Sequence, residues 1–164
     1  MSITAWNVLS DDMLLENKGG AEVFLAERIS PPHLEAMYRA GRAVLRRRDW
    51  RIIAFAALWE TERPDWMELG SFWVHPAYRG AHLGSTLYDE RLALIPEGTH
   101  GFVVSHNERA VHLALTHGFT EATRDSWQAL APYDLVCGVC DRDVKDRRTC
   151  PHRAVPTECR LLVR

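Results

Sequence analysis

The sequence predicts an α/β fold with a mixed, at least partly parallel sheet in one domain. The apolar run at residues 52–59 is typical of a strand that is buried on both faces. From residue 66 onwards, predicted strands alternate with amphipathic helices, an order that brings parallel strands together. Of the 164 residues, 46% are hydrophobic and 26% are charged, so the chain can form one packed core.

The first fifty residues predict mainly helical structure. Apolar residues at spacings of three and four predict one amphipathic helix over residues 30–48, with Ser30 as its N-cap and Pro31 in its first turn. The arginines at 46–48 would then lie at the negative end of the helix dipole. Before this helix, we expect a first strand at residues 13–15 and a short helix at residues 21–29.

The middle of the chain predicts a regular succession of elements. A strand at residues 66–75 is followed by a helix at residues 82–94. A strand at residues 101–105 and a helix at residues 107–117 come next. Near the end of the chain, residues 158–163 predict a strand that returns to the sheet.

Charge and hydropathy exclude several classes of protein. The net charge of −2 provides no positive field for nucleic acid, which is therefore not an expected partner. The longest apolar run has 8 residues, far fewer than the roughly 20 that cross a bilayer, so no membrane segment is expected. The N-terminus does not resemble a secretory signal, and we expect a cytoplasmic protein, either a monomer or a homodimer.

A small-residue turn follows the predicted strand that ends near Trp73 and Val74. Gly80 and Ala81 stand in this turn, directly before the predicted helix. Such a turn exposes backbone N–H groups at the positive end of the helix dipole, where a pyrophosphate can bind. The competing interpretation is that the glycine serves only the tight turn.

Two motifs in this region occur in a specific order. The segment Arg79-Gly80-Ala81-His82-Leu83-Gly84 matches the form (Arg/Gln)-x-x-Gly-x-(Gly/Ala) at its first and last residues. A second motif, Asn-x-x-Ala-x-x-Leu-Tyr-x-x-x-Gly-Phe, is matched by Asn107, Ala110, Leu113, Gly118 and Phe119. Together the motifs resemble those of the GNAT superfamily of acyl-CoA-dependent N-acyltransferases. The resemblance extends over residues 52–119.

The resemblance implies a GNAT-like sheet whose two central strands, residues 66–75 and 101–105, splay apart and admit the pantetheine arm of acetyl-CoA. Backbone groups of Trp73 and Val74 would bind the pantetheine, and Asn107 would brace it while also capping a helix. The pyrophosphate would be bound by N–H groups of Arg79, Gly80, Ala81, His82, Leu83, Gly84 and Ser85. The implied reaction transfers an acetyl group to a primary amine of a small molecule or a protein.

Two residues depart from the family pattern. His82 stands where the family prefers glycine, so its side chain would either point away from the phosphates or hydrogen-bond to them. Ala114 stands where many members have a tyrosine that protonates the departing thiolate. This second departure supports an alternative function, a non-catalytic CoA-binding module or a zinc-dependent interaction module.

Catalysis requires a base, because an amine with a pKa near 10 is mostly protonated at neutral pH. Glu68 is the first candidate, since it lies on the strand that leads to the loop and has apolar neighbours that would exclude water. His75 and His106, at the two strand ends, are alternatives. For each of these three residues a structural role is the more frequent one. Ser105, or a water bound there, would protonate the thiolate.

All four cysteines lie between residues 137 and 159. In a reducing compartment such a cluster predicts structural zinc, with free thiols or a redox pair as alternatives. The candidate ligands are Cys137, Cys140, Cys150 and Cys159, with His152 as an alternative to the last of them. We therefore predict a GNAT-like domain at residues 1–130 and a small zinc-binding element at residues 131–164, which includes the last strand.

Overall fold

The structure is a computed structural model that describes residues 4–16, 28–80, 82–105, 107–122 and 160–164. The chain divides into two compact units. The first unit consists of Met1–Trp59 and Leu69–Pro96, and the second consists of Glu60–Glu68 and Glu97–Arg164. Two strands, Arg51–Glu60 and Trp66–Val74, contribute residues to both units.

The first unit combines helices with a hairpin and the end of a third strand. Strands β1 (Ala43–Arg48) and β2 (Arg51–Glu60) pair in antiparallel fashion, and a short 3-10 turn, Pro76–Tyr78, links β3 (Trp66–Val74) to α3 (Leu83–Leu92). Residue 60 of β2 and residues 66–68 of β3 belong to the second unit. In chain order the elements are α1 (Ala5–Glu16), α2 (Pro31–Arg39), β1 (Ala43–Arg48), β2 (Arg51–Glu60), β3 (Trp66–Val74) and α3 (Leu83–Leu92).

Strand β2 is buried on both faces, as its apolar sequence predicts. Phe55 and Ala57 pack in a core cluster with residues of α1 and α2. Ala54 and Ala56 pack in a second cluster that includes Leu87 of α3. Because successive side chains of a strand point to opposite faces, the unbroken apolar run serves two separate cores. The strand prediction is confirmed.

The helix prediction for residues 30–48 is wrong beyond Arg39, where α2 ends. Gly41 follows with a φ of 69°. Hydrogen bonds from the N–H groups of Gly41 and Arg42 into the last turn of α2 have the pattern of a Schellman motif. A glycine that fits the helical spacing is therefore the residue that ends the helix. The remaining residues form β1, so the arginines at 46–48 lie on a strand and not at a helix end.

The predicted first strand at residues 13–15 is also wrong, because these residues lie in α1. Trp6, Leu9 and Met13 are buried in this helix. Their spacings of three and four residues place them on one helical face. Of the helix predicted for residues 21–29, residues 21–27 lie outside the described part of the chain.

We expect Gly41→Ala to lower the free energy of unfolding by about 1 kcal/mol. Among the described residues, nothing lies within 4 Å of a Cβ atom placed at Gly41, so the cost comes from the left-handed backbone alone. Chemical denaturation measures the change. Gly41→Asn is the control, and it should lose less stability because asparagine tolerates this conformation. Equal stability of the alanine variant and the wild-type protein would contradict the left-handed assignment.

In the second unit, the first residues of β3 pair in parallel with β4 (His100–Ser105). The register runs from Trp66 opposite His100 to Glu68 opposite Phe102. Helix α4 (Glu108–Thr116) follows β4. Strand β6 (Arg160–Val163) pairs in antiparallel fashion with both β4 and β5 (Thr120–Glu121).

The last strand returns to the sheet, as the sequence predicts. Leu161 and Leu162 of β6 are fully buried. Arg160 donates two hydrogen bonds to the carboxylate of Glu121 on β5, at 2.7 and 2.6 Å. These hydrogen bonds lower the pKa of the Glu121 carboxyl group and raise the pKa of the Arg160 guanidinium. The ion pair and the buried leucines fix the register of the last two strands.

The α/β class with a mixed sheet is confirmed. The pair β1 and β2 is antiparallel, whereas β3 and β4 are parallel. Helices α3 and α4 follow β3 and β4, in the predicted order. The splay of the central strands stays a prediction. Among the described residues, no helix has both the length and the apolar character to cross a bilayer.

Candidate functional site

The chain turns sharply after β3 in the first unit. The imidazole Nδ1 of His75 accepts the N–H of Ala77 at 3.2 Å and so caps the 3-10 turn. The guanidinium Nε of Arg79 then donates to the carbonyl of Val74 at 2.9 Å. Arg79, the first residue of the candidate phosphate loop (residues 79–85), is therefore hydrogen-bonded to the end of β3. The capping bond also leaves His75 with only Nε2 for other chemistry.

The loop before α3 contains two left-handed residues. Gly80 has a φ of 84°, and His82, the N-cap of α3, has a φ of 57°. The His82 side chain makes no capping hydrogen bond. The backbone N–H groups of Leu83 and Gly84 lie in the first helical turn, where the helix itself supplies no acceptors. This arrangement, with the positive end of the helix dipole, is suited to bind an anion.

The surroundings of Gly84 show whether packing or backbone conformation requires a glycine at this position. A Cβ atom at this position would lie 3.7 Å from Cζ of Phe72 and 3.9 Å from Cγ2 of Val74. These are ordinary van der Waals distances, and Gly84 has no left-handed backbone. Packing within the protein therefore does not require glycine at this position. Close approach of a ligand to the backbone is an explanation that remains.

Glu16, the last residue of α1, contacts both the end of β3 and the loop. Its Oε2 accepts a hydrogen bond from Nε1 of Trp73 at 2.8 Å. Its Oε1 forms an ion pair with the guanidinium of Arg79. Nothing in the sequence predicts a role for Glu16, because the predicted strand at residues 13–15 ends directly before it.

Two further contacts that the sequence did not predict join β3 to side chains of β2 and α3. Ser71 has a φ of 48°, which is unusual for a residue other than glycine in a strand. The indole Nε1 of Trp59 donates to Oγ of Ser71 at 3.2 Å. Arg91 of α3, only 1% exposed, donates to the carbonyl of Gly70 at 3.3 Å. These two side chains support the irregular part of β3, and a basic residue in the last turn of a helix offers no sign of such burial.

Glu68 lies in the second unit, on β3 and opposite Phe102 of β4. Its side chain is buried, with 4% relative exposure, beside the buried Trp66 and Met67. The exclusion of water expected from its apolar neighbours is therefore present. Glu68 is the only buried acidic side chain among the described residues, and buried ionisable groups occur often at functional sites.

The end of β4 and the start of α4 carry three other candidate residues. Oγ of Ser105 accepts the N–H of Asn107 at 3.0 Å, which leaves the Ser105 hydroxyl proton for donation elsewhere. Oδ1 of Asn107 accepts the N–H of Arg109 at 3.0 Å, so Asn107 is the N-cap of α4. Ala114 is fully buried, and a tyrosine ring there would overpack the core.

Of the predicted cofactor-binding residues, the described ones from Trp73 to Ser85 lie within one strand, turn and helix of the first unit. Glu68, Ser105 and Asn107 belong to the second unit. Within the described ranges, no group of three or more His, Cys, Asp or Glu side chains is placed to bind a metal. The predicted residues outside the described ranges are Ala81, His106, Cys137, Cys140, Cys150, His152 and Cys159, and their roles stay predictions.

Comparison with known proteins links the sequence to one family. A model of the Acetyltransferase (GNAT) family matches residues 12–119, more than half of the chain. The match includes all of β1 to β4, the loop before α3, and α4. No curated protein matches the sequence.

Solved structures share the fold. An acetyltransferase from Streptococcus agalactiae 2603 has a TM-score of 0.65 at 17% identity, over 100% of this chain and 93% of that one. Arabidopsis thaliana Naa50, in complex with a bisubstrate analogue, has a TM-score of 0.56 at 14% identity, over 100% and 95%. N-acetylglutamate synthase from Neisseria gonorrhoeae has a TM-score of 0.52 at 16% identity. The match covers 97% of this chain but only 31% of that synthase.

Proposed function

The chain belongs to the GNAT family of acetyltransferases, and we propose that it transfers an acetyl group from acetyl-CoA to a primary amine. The observation that carries this proposal is the loop before α3. It presents the first turn of a helix after two left-handed residues, Gly80 and His82. At Gly84 it has a glycine that packing within the protein does not require.

The loop and the end of β3 would bind the two halves of CoA. The N–H groups of the loop suit the pyrophosphate, because it carries negative charge and many acceptor oxygens. The N–H of His75 donates to Ile53 in β2, so alternation directs the N–H of Val74 to the opposite edge of the strand, while the Val74 carbonyl accepts from Arg79. This edge suits the amide groups of pantetheine. The related synthase and Naa50 were solved with CoA and with a CoA-containing analogue, respectively.

Glu68 would serve as the base that removes a proton from the attacking amine. Its burial supports this role, because a partly desolvated carboxylate accepts a proton more readily than an exposed one. His75 and His106 remain the alternatives, although His75 already uses Nδ1 to cap the 3-10 turn. The attacking nitrogen forms a bond to the acetyl carbon, and the carbon–sulfur bond breaks. The CoA thiolate takes a proton from water, directly or through Ser105, which regains its proton from that water, and Glu68 releases the amine proton to solvent.

The acceptor is a primary amine of a small molecule or of a protein. The structures similar to this chain include examples of both kinds. The synthase was solved with N-acetyl-glutamate, and Naa50 with an analogue that joins CoA to the peptide MVNAL. A second candidate function, CoA binding without catalysis, is supported by Ala114, which is buried and offers no proton to the thiolate.

Thiol release from acetyl-CoA, measured against a panel of amines and peptides, tests the proposed function. We expect release that depends on an added amine and exceeds hydrolysis without one. Binding of CoA without any release would support the non-catalytic alternative. A folded protein that does not bind CoA would contradict both functions.

We also propose that the cysteines between residues 137 and 159 bind one structural zinc ion. The support is the sequence: a Cys-x-x-Cys pair at Cys137 and Cys140 places two thiolates on one turn, and further ligands follow. In the cytoplasm that we propose as its location, the thiols would stay reduced. Because four protein ligands leave no open position, such a zinc ion would stabilise the fold and take no part in the reaction.

Protein purified under reducing, chelator-free conditions is expected to contain one equivalent of zinc. Chelation should lower the melting temperature, because a metal that binds only the folded state adds stability. Cys137→Ser should lower the melting temperature more than it lowers kcat. Metal-free protein with four titratable thiols would contradict the zinc proposal.

A further inference from the structure

The ion pair between Glu16 and Arg79 connects the candidate phosphate loop to the end of α1. Two nitrogen atoms of the Arg79 guanidinium take part in contacts with the protein: Nε donates to the carbonyl of Val74, and a terminal nitrogen pairs with Glu16. The Glu16 carboxylate is in turn held by the indole of the buried Trp73. Four residues therefore form one connected set at the junction of α1, β3 and the loop.

The direction of these contacts determines what Arg79 does. A guanidinium that donates both to a strand carbonyl and to a carboxylate is oriented toward the protein. Its bond with Val74 draws the start of the loop back onto the end of β3. The contacts therefore suit Arg79 to bracing the loop, and the anion would be bound by backbone N–H groups further along it.

We propose that Glu16 is a positioning residue for CoA binding, which acts through Arg79 to fix the start of the phosphate loop. This inference rests on the proposed function, because it requires CoA to bind at the loop. Without the ion pair the guanidinium can leave Val74, and the loop then samples conformations whose N–H groups do not converge on one anion. Affinity falls because the loop must be ordered at the time of binding.

Both side chains are about one third exposed, at 34% for Arg79 and 37% for Glu16, so solvent weakens the pair. We therefore expect a moderate effect, a loss of about fivefold in CoA affinity for Glu16→Gln. Glutamine keeps an oxygen that can accept the hydrogen bond from Trp73, and it removes only the charge that pairs with Arg79. The acetyl transfer step should not change, so kcat at saturating acetyl-CoA should stay near that of the wild-type enzyme.

Asp12 provides a matched control on the same face of α1, four residues before Glu16. Its ion pair with Arg51 of β2, through hydrogen bonds of 2.8 and 3.1 Å, does not involve Arg79. Asp12→Asn removes a comparable ion pair of the same helix. We expect a similar decrease in melting temperature for Asp12→Asn and Glu16→Gln, but a loss of CoA affinity for Glu16→Gln alone.

A double-mutant cycle separates bracing from direct binding by Arg79. The dissociation constant for CoA is measured by calorimetry for the wild-type protein, Glu16→Gln, Arg79→Met and the double variant. If Glu16 acts through Arg79, the double variant should lose no more affinity than Arg79→Met alone. The KM for acetyl-CoA should rise in both single variants while kcat is retained.

Two results would overturn the inference. One is unchanged or tighter CoA binding by folded Glu16→Gln, which would mean that the carboxylate does not brace the loop or competes with the phosphates for Arg79. The other is a double variant whose losses are the product of the single ones. Failure of the proposed function is distinct, because the wild-type protein itself would then not bind CoA.

Discussion

Replacement of Glu68 by glutamine is expected to lower kcat by about 10², with little change in CoA affinity. Glutamine has nearly the same shape as glutamate but cannot accept the proton that the amine must lose. Glu68 is buried on β3, so bulk water cannot easily take over as the base. The acidic limb of the pH–rate profile should disappear together with the activity, since that limb reports protonation of the base.

Two further variants serve as controls for Glu68→Gln. Glu68→Asp retains a carboxylate one methylene further back and should keep more activity than the glutamine variant. Glu97→Gln makes the same chemical change at an exposed position and should leave kcat unchanged. Full activity and an unshifted profile for a folded Glu68→Gln would show that Glu68 is not the base, and His75 and His106 would be tested next.

Gly84→Val is expected to weaken CoA binding at least about tenfold, near 1.4 kcal/mol, while the fold persists. The Cβ atom would meet Phe72 and Val74 only at ordinary contact distances, so the protein can accept it. The branched side chain would crowd the first turn of α3, whose N–H groups are the proposed contacts of the phosphate. Calorimetry measures the affinity, and circular dichroism measures the fold.

Gly84→Ala should give an intermediate loss of affinity, because it adds one methyl group in the same direction. Ala93→Val, at the other end of α3, adds a branched side chain away from the loop and should not change CoA binding. Wild-type affinity in a folded Gly84→Val variant would remove the basis for CoA binding at this loop.

The elements that the sequence predicts correctly are those whose pattern has one physical reading. The run in β2 is apolar at consecutive positions, which only burial on both faces explains. The helix prediction for residues 43–48 is wrong because their apolar spacing fits a helix as well as a strand. The residue that decides between the two is a single glycine. Gly41 ends α2 because its backbone is left-handed, and hydrophobic periodicity carries no information about backbone conformation.

In the candidate site, too, the sequence predicts the residues that form a local motif and misses those that meet only in the folded chain. Residues of the loop are close in sequence, and their motif places them before α3 without knowledge of the fold. Glu16 meets Arg79 across sixty-three positions of the chain, and Arg91 meets Gly70 across twenty-one. Such pairings depend on how helices pack, so a single sequence carries no local sign of them.

The junction between β5 and β6 has a consequence for how this chain can vary. The N–H of Ala122 donates to the carbonyl of Leu161 at 2.9 Å, so these two described positions, far apart in the sequence, are adjacent in the structure. A connection of any length can close such a gap, since each doubling of a flexible loop costs only about 0.6 kcal/mol. The segment that connects β5 to β6 can therefore be replaced, shortened or lengthened, provided that its two ends lie about 5 Å apart, as adjacent strands do.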